Sequence, residues 1–87
     1  MGEQADWPEW WRWELAFTSH VRRRMTERGF SETDLREMLT DAEGFVPDIE
    51  PGRQAILTRW HGDAWKVIVE PNAVTEHLVV ITAYRLE

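Results

Sequence analysis

Residues 53–70 read "RQAILTRWHGDAWKVIVE". Two apolar runs rich in strand formers, 53–60 and 64–70, flank His61, Gly62 and Asp63. A connector this short, built on glycine and a turn-forming aspartate, predicts an antiparallel hairpin. Downstream, "PNAVTE" (71–76) turns the chain again, and "HLVVITAYRL" (77–86) predicts a third strand. Its near-continuous apolar centre predicts a central position with both faces covered. Upstream, Gly44, Pro47, Pro51 and Gly52 punctuate a connecting segment that separates these strands from a helical region.

That region holds two helices. In "SETD" Ser31 is placed to cap a helix and Asp34, three residues on, completes a capping-box variant. Leu35, Met38, Leu39 and Ala42 then form its apolar face. The preceding helix runs from Ser19 as N-cap to Arg28, with Val21 and Met25 as a narrow apolar stripe and Gly29 as C-cap. Before it, Trp11, Trp13, Leu15 and Phe17 alternate with Arg12, Glu14, Ala16 and Thr18, the two-residue period of a half-buried strand at about 12–18. Pro8 and Glu9 suit a first helical turn, and residues 1–6 are polar and expected to be loose. The order β-α-α-β-β-β predicts an α+β fold, two helices packed on an antiparallel sheet of about four strands. Residues 1–11 read as a Trp-rich N-terminal extension and 12–87 as a single domain.

With 87 residues there is room for one small domain, and the six tryptophans help it form a core. The absence of cysteine excludes disulfides, thiolate zinc sites and thiol nucleophiles. Three histidines without His-x-x-x-His spacing give no metal site, and no cofactor-binding glycine loop occurs. No apolar run approaches the ~20 residues that span a bilayer. The first residues lack the pattern of a signal peptide, so a cytoplasmic location is the expectation. The formal charge of −6 counts against a polyanion-binding surface. Its distribution is uneven: His20–Gly29 carries Arg22, Arg23, Arg24 and Arg28 against Glu27 alone, whereas Ser31–Glu50 carries seven acids against Arg36.

"SHVRRRMTERGFSETDLREML", "WKVIVEP" and "LVVITAYRL", in this order, resemble a small bacterial domain family of uncharacterised function. That family is similar in fold to the RelE and BrnT toxins, within the larger group of barnase-like and colicin-type ribonucleases. The resemblance covers residues 15–86 and leaves out the tryptophans at 7–13. It implies a RelE-like fold and a metal-independent endoribonuclease, the toxin of a toxin–antitoxin pair. RNA, free or on the ribosome, and a cognate antitoxin are then the partners, with a second copy in a homodimer as a further option. By the same resemblance His20 would be the helix histidine, Arg24 or Arg28 the adjacent cation, and Thr82, Tyr84 and Arg85 the polar residues of the last strand.

The chemistry agrees with these residue types. Metal-free RNA cleavage needs a base for the 2′-hydroxyl, an acid for the leaving oxygen and cations for the phosphorane. An imidazole, with its reference pKa of about 6.5, suits the proton transfers. His20, Arg24 and Arg28 share one helix side, and with Tyr84 of the last strand, as the resemblance implies, His20 and Arg24 make the expected catalytic group. Arg28, Arg59, Lys66, Thr82 and Arg85 are the expected substrate contacts, with Arg59 and Lys66 joining across the hairpin. The plainer readings stand beside these: His20 packs at a helix start, Arg22 and Arg23 pair with Glu32 or Glu37, Tyr84 is a rim residue, and His61 and His77 face solvent. On the last strand Val79, Ile81 and Ala83 are expected to face the helices, leaving Thr82 and Tyr84 on the open face. The alternative function is a non-catalytic protein-interaction module, suggested by the acidic balance and by Trp7 and Trp10 as an aromatic patch.

Overall fold

The computed structural model describes residues 7–86; residues 1–6, expected to be loose, lie outside the described residues. A 3-10 turn, Glu9–Arg12, leads into β1 (Glu14–Phe17), then α1 (Ser19–Arg28) and α2 (Glu32–Thr40). Four strands follow: β2 (Gly44–Pro47), β3 (Gln54–Trp60), β4 (Asp63–Asn72) and β5 (His77–Arg85). The N-cap of α1 is Thr18, one residue earlier than expected; its hydroxyl accepts from the Val21 amide at 3.0 Å. Gly29 ends α1 in the left-handed conformation at φ 80°, where a side chain would strain the backbone. The capping box of α2 forms as read, Ser31 accepting from the Asp34 amide while the Asp34 carboxylate accepts from the Ser31 amide.

The sheet has five strands in the order β1-β5-β4-β3-β2, which corrects the expected four-stranded antiparallel one. Strand β1 runs parallel to β5, Leu15 opposite Leu78 and Phe17 opposite Val80. Both helices lie in the connection that follows β1, and such a crossover lets the last strand return in parallel. The strand missed from sequence is β2, which pairs with β3 over Gly44–Pro47. Glycine and proline at its two ends disguise it, and an edge position is where a sheet tolerates proline.

One sheet face carries both helices. Val21 and Met25 of α1 and Leu35, Met38 and Leu39 of α2 close over Ile56, Val67, Val69, Leu78, Val80 and Ala83. The strand β5 does not alternate regularly along this face. Ile68 pairs with Thr82 but Val69 pairs with Val80, so Ile81 is an extra, bulged residue. Leu78 and Val80 therefore face the helices before the bulge and Ala83 after it. The expected inward set of Val79, Ile81 and Ala83 is corrected accordingly, and only Ala83 belongs to the core. Thr82 and Tyr84 do lie on the helix-free face, opposite Ile68 and Lys66. The tryptophan head packs on the same domain: Trp7 stacks on Trp11 at 4.2 Å, and Trp10 meets Phe45 edge-on at 5.5 Å. Among the described residues no helix is long and apolar enough to cross a membrane.

Candidate functional site

The hairpin turn, the end of α1 and the end of β5 meet at one end of the sheet. Because β1 stops opposite Val80, β5 has no strand on that side from Ile81 onward among the described residues. Arg28 occupies the bare edge. Its guanidinium donates to the Ala83 carbonyl at 2.5 Å and reaches the Thr82 hydroxyl at 3.4 Å. Satisfying a strand edge in this way holds the cation in place and closes the edge to further strands. After Gly29, Phe30 turns into the core and meets Trp65 edge-on at 5.5 Å and Trp60 at 6.1 Å.

The turn between β3 and β4 is a two-residue loop, His61 at φ 53° and Gly62 at φ 83°. Two successive positive φ values define the type I′ turn that matches strand twist. His61, like Glu76, is thus a non-glycine residue in the left-handed region, and its ring leans on Trp60 at 4.2 Å. Asp63 follows, its carboxylate 3.6 Å from the Arg85 guanidinium. Arg28, His61, Asp63, Tyr84 and Arg85, backed by Trp60 and Trp65, line an open cleft of about 470 Å³.

Chemically the cleft is rich in donors. Two guanidinium groups and a phenol stand against one carboxylate, which suits an anion with several acceptor oxygens. The aromatic wall adds a surface for a flat group. Its indole N–H groups, on Trp60 and Trp65, are buried without an acceptor among the described residues. Their surroundings are rings, the two indoles meeting at 85°, and a ring face is a weak acceptor.

The structure separates the expected site residues into three places. Arg28, Tyr84 and Arg85 line the cleft, with Thr82 bonded to Arg28. His20 and Arg24 are exposed on α1 and do not line it. Eight residues of helix set His20 about 12 Å along the axis from Arg28. Lys66 lies on the helix-free face opposite Tyr84, and Arg59 is drawn to Glu43 at 3.3 Å. Arg22 pairs with Glu32, as one reading of the arginine run had it, and its guanidinium lies over the Phe17 ring. Reading residue types alone missed His61, Asp63, Trp60 and Trp65. The signal for them was the meander itself, since pairing β4 with β5 sets Trp65 opposite Arg85 and brings the preceding turn beside Tyr84. Among the described residues no group of three His, Asp or Glu side chains is placed to hold a metal ion.

No curated protein and no solved structure matches this chain. The family described as "Domain of unknown function (DUF4258)" matches residues 17–85, which takes in every element from α1 to β5 and stops short of the tryptophan head. The chain belongs to that family.

Proposed function

We propose that this protein is a metal-independent endoribonuclease and the toxin of a toxin–antitoxin pair, acting on RNA in the cytoplasm. The observation that carries the reading is the convergence of Arg28, Arg85, Tyr84 and His61 on one open cleft. In the reaction the 2′-oxygen attacks phosphorus and the bond to the 5′-oxygen breaks, leaving a 2′,3′-cyclic phosphate. His61 takes the 2′-hydroxyl proton, Tyr84 supplies one to the departing oxygen, and the two arginines neutralise the phosphorane. His61 takes this role rather than His20 because it is the imidazole that lines the cleft. The toxin assignment rests on the resemblance to the RelE and BrnT group, and the antitoxin is the expected protein partner.

The test is cleavage of a labelled RNA in excess EDTA. The wild type is expected to leave cyclic or 3′-phosphate ends. His61→Ala should lose roughly 10²–10⁴-fold, the usual worth of a general base, while His20→Ala stays close to wild type. No cleavage by the wild type at stoichiometric enzyme would sink the nuclease reading. Loss in His20→Ala alone would return the proton transfer to α1. A second reading, a non-catalytic interaction module, is favoured by the net charge of −6 and by Val46 and Tyr84 exposed on the helix-free face. Wild-type protein without nuclease activity that binds an antitoxin-like partner would establish it.

A further inference from the structure

A second hollow lies away from the cleft and has a different chemistry. It sits where the tryptophan head and β1 meet α2, and it reaches Leu78 near the start of β5. Leu78 and Tyr84 are separated by about 20 Å of extended strand, so the two sites are spatially distinct. The hollow measures about 270 Å³. Trp11 and Trp13 supply flat indole surface, and Leu15, Leu39 and Leu78 supply an aliphatic floor. Arg36 and Thr40 are the polar lining residues. They lie four apart on α2 with Leu39 between, a spacing that puts all three on one side of the helix. The Thr40 hydroxyl already donates to the Arg36 carbonyl at 2.9 Å, so its oxygen is left with acceptor capacity only.

We propose that this hollow binds a small aromatic carboxylate, its ring between the indoles and leucines and its carboxylate on Arg36. Size sets the first limit. The space, about 270 Å³ and open to solvent, suits one ring with a short acid arm and lies below the usual volume of larger ligand pockets. The walls set the second, because a sugar would leave hydroxyls unpaired against Leu15, Leu39 and Leu78, at about 1–3 kcal/mol each. Charge sets the third. One guanidinium matches the single charge and fork geometry of a carboxylate, whereas a phosphate dianion would give up far more hydration than one cation returns. The site stands apart from the proposed nuclease cleft and does not depend on it.

The test uses phenylacetate as the probe on the ¹⁵N-labelled full chain, followed by the indole N–H resonances. Phenylacetate is expected to shift the Trp11 and Trp13 signals saturably and to leave those of Trp60 and Trp65 in place. Phenylacetamide, which keeps the ring and loses the charge, should bind about tenfold more weakly, and acetate should shift neither pair. Arg36 is exposed on its helix, so Arg36→Gln should keep the fold. That variant should bind phenylacetate about tenfold more weakly and phenylacetamide as the wild type does, in line with a lost charged hydrogen bond. Equal affinity for the acid and the amide, an unchanged Arg36→Gln, or shifts confined to Trp60 and Trp65 would each overturn the proposal.

Discussion

Asp63 and Arg85 face each other at the mouth of the cleft, 3.6 Å apart and both more than half exposed. A pair this exposed contributes only about 0–1 kcal/mol to folding, so its consequence lies elsewhere. A phosphate that seeks Arg85 must displace a carboxylate already beside it. Asp63→Asn keeps the shape and removes the competitor. Two charges about 4 Å apart in water-like surroundings interact by about 1 kcal/mol, which corresponds to a roughly fivefold gain in affinity. Fluorescence anisotropy with a non-cleavable oligonucleotide reads this directly. An unchanged or weaker affinity would mean that Arg85 does not meet the phosphate. At the same scale His61 shows why half of the site was hidden in the sequence. Helical spacing correctly groups His20, Arg24 and Arg28 on one side, but it does not say which end of that row meets another element. Of the three, Arg28 is the one that bonds β5 and lines the cleft. His61 arrives there through strand pairing, which joins residues distant in the chain and leaves no local pattern.

Among the elements, what was legible is what is local. The Ser31 box and the Gly29 cap are settled by residues three or four apart, and both ends form as read. The parallel β1, the edge strand β2 and the bulge at Ile81 depend on partners tens of residues away. Long-range pairing also supplies a cap that no motif announces. At the end of α2 the Glu37 carbonyl still receives the Asp41 amide in the helical pattern, and the Leu39 carbonyl receives the Ala42 amide one residue tighter. The Met38 carbonyl instead receives the hydroxyl of Thr58, buried at 2% exposure on β3. Thr58→Val fills nearly the same space and leaves that carbonyl unsatisfied. It is expected to cost about 1–3 kcal/mol in urea unfolding. Ser31→Ala, at the solvent-exposed opposite end, is expected to cost about 1 kcal/mol. If Thr58→Val unfolds like the wild type, the hydroxyl does not tie α2 to the sheet.

For the whole molecule, the proposed RNA binding requires that a chain of net charge −6 attract an anion at one place on its surface. Its extents of 33 × 31 × 25 Å exceed the Debye length of about 8 Å at physiological salt several times over. Charges at one end therefore hardly reach the other. Asp48 and Glu50 flank the start of β3, whereas the cleft lies at its far end, about 20 Å away along the strand. What an approaching phosphate meets is Arg28 and Arg85 against Asp63. Two phosphate contacts on single-stranded RNA predict a slope of log K against log salt of about −1.4. Arg28→Gln and Arg85→Gln should each reduce its magnitude by about 0.7. Arg28 also holds the edge of β5, so thermal unfolding of its variant separates lost binding from lost structure. Neutralising Asp48 and Glu50 together should leave the slope unchanged, and so should Arg24→Gln, because that side chain lies outside the cleft. A slope that follows Asp48 and Glu50, or one that Arg24→Gln reduces, would mean that RNA is drawn by the α1 surface or by the total charge. The cleft would then not be the binding site.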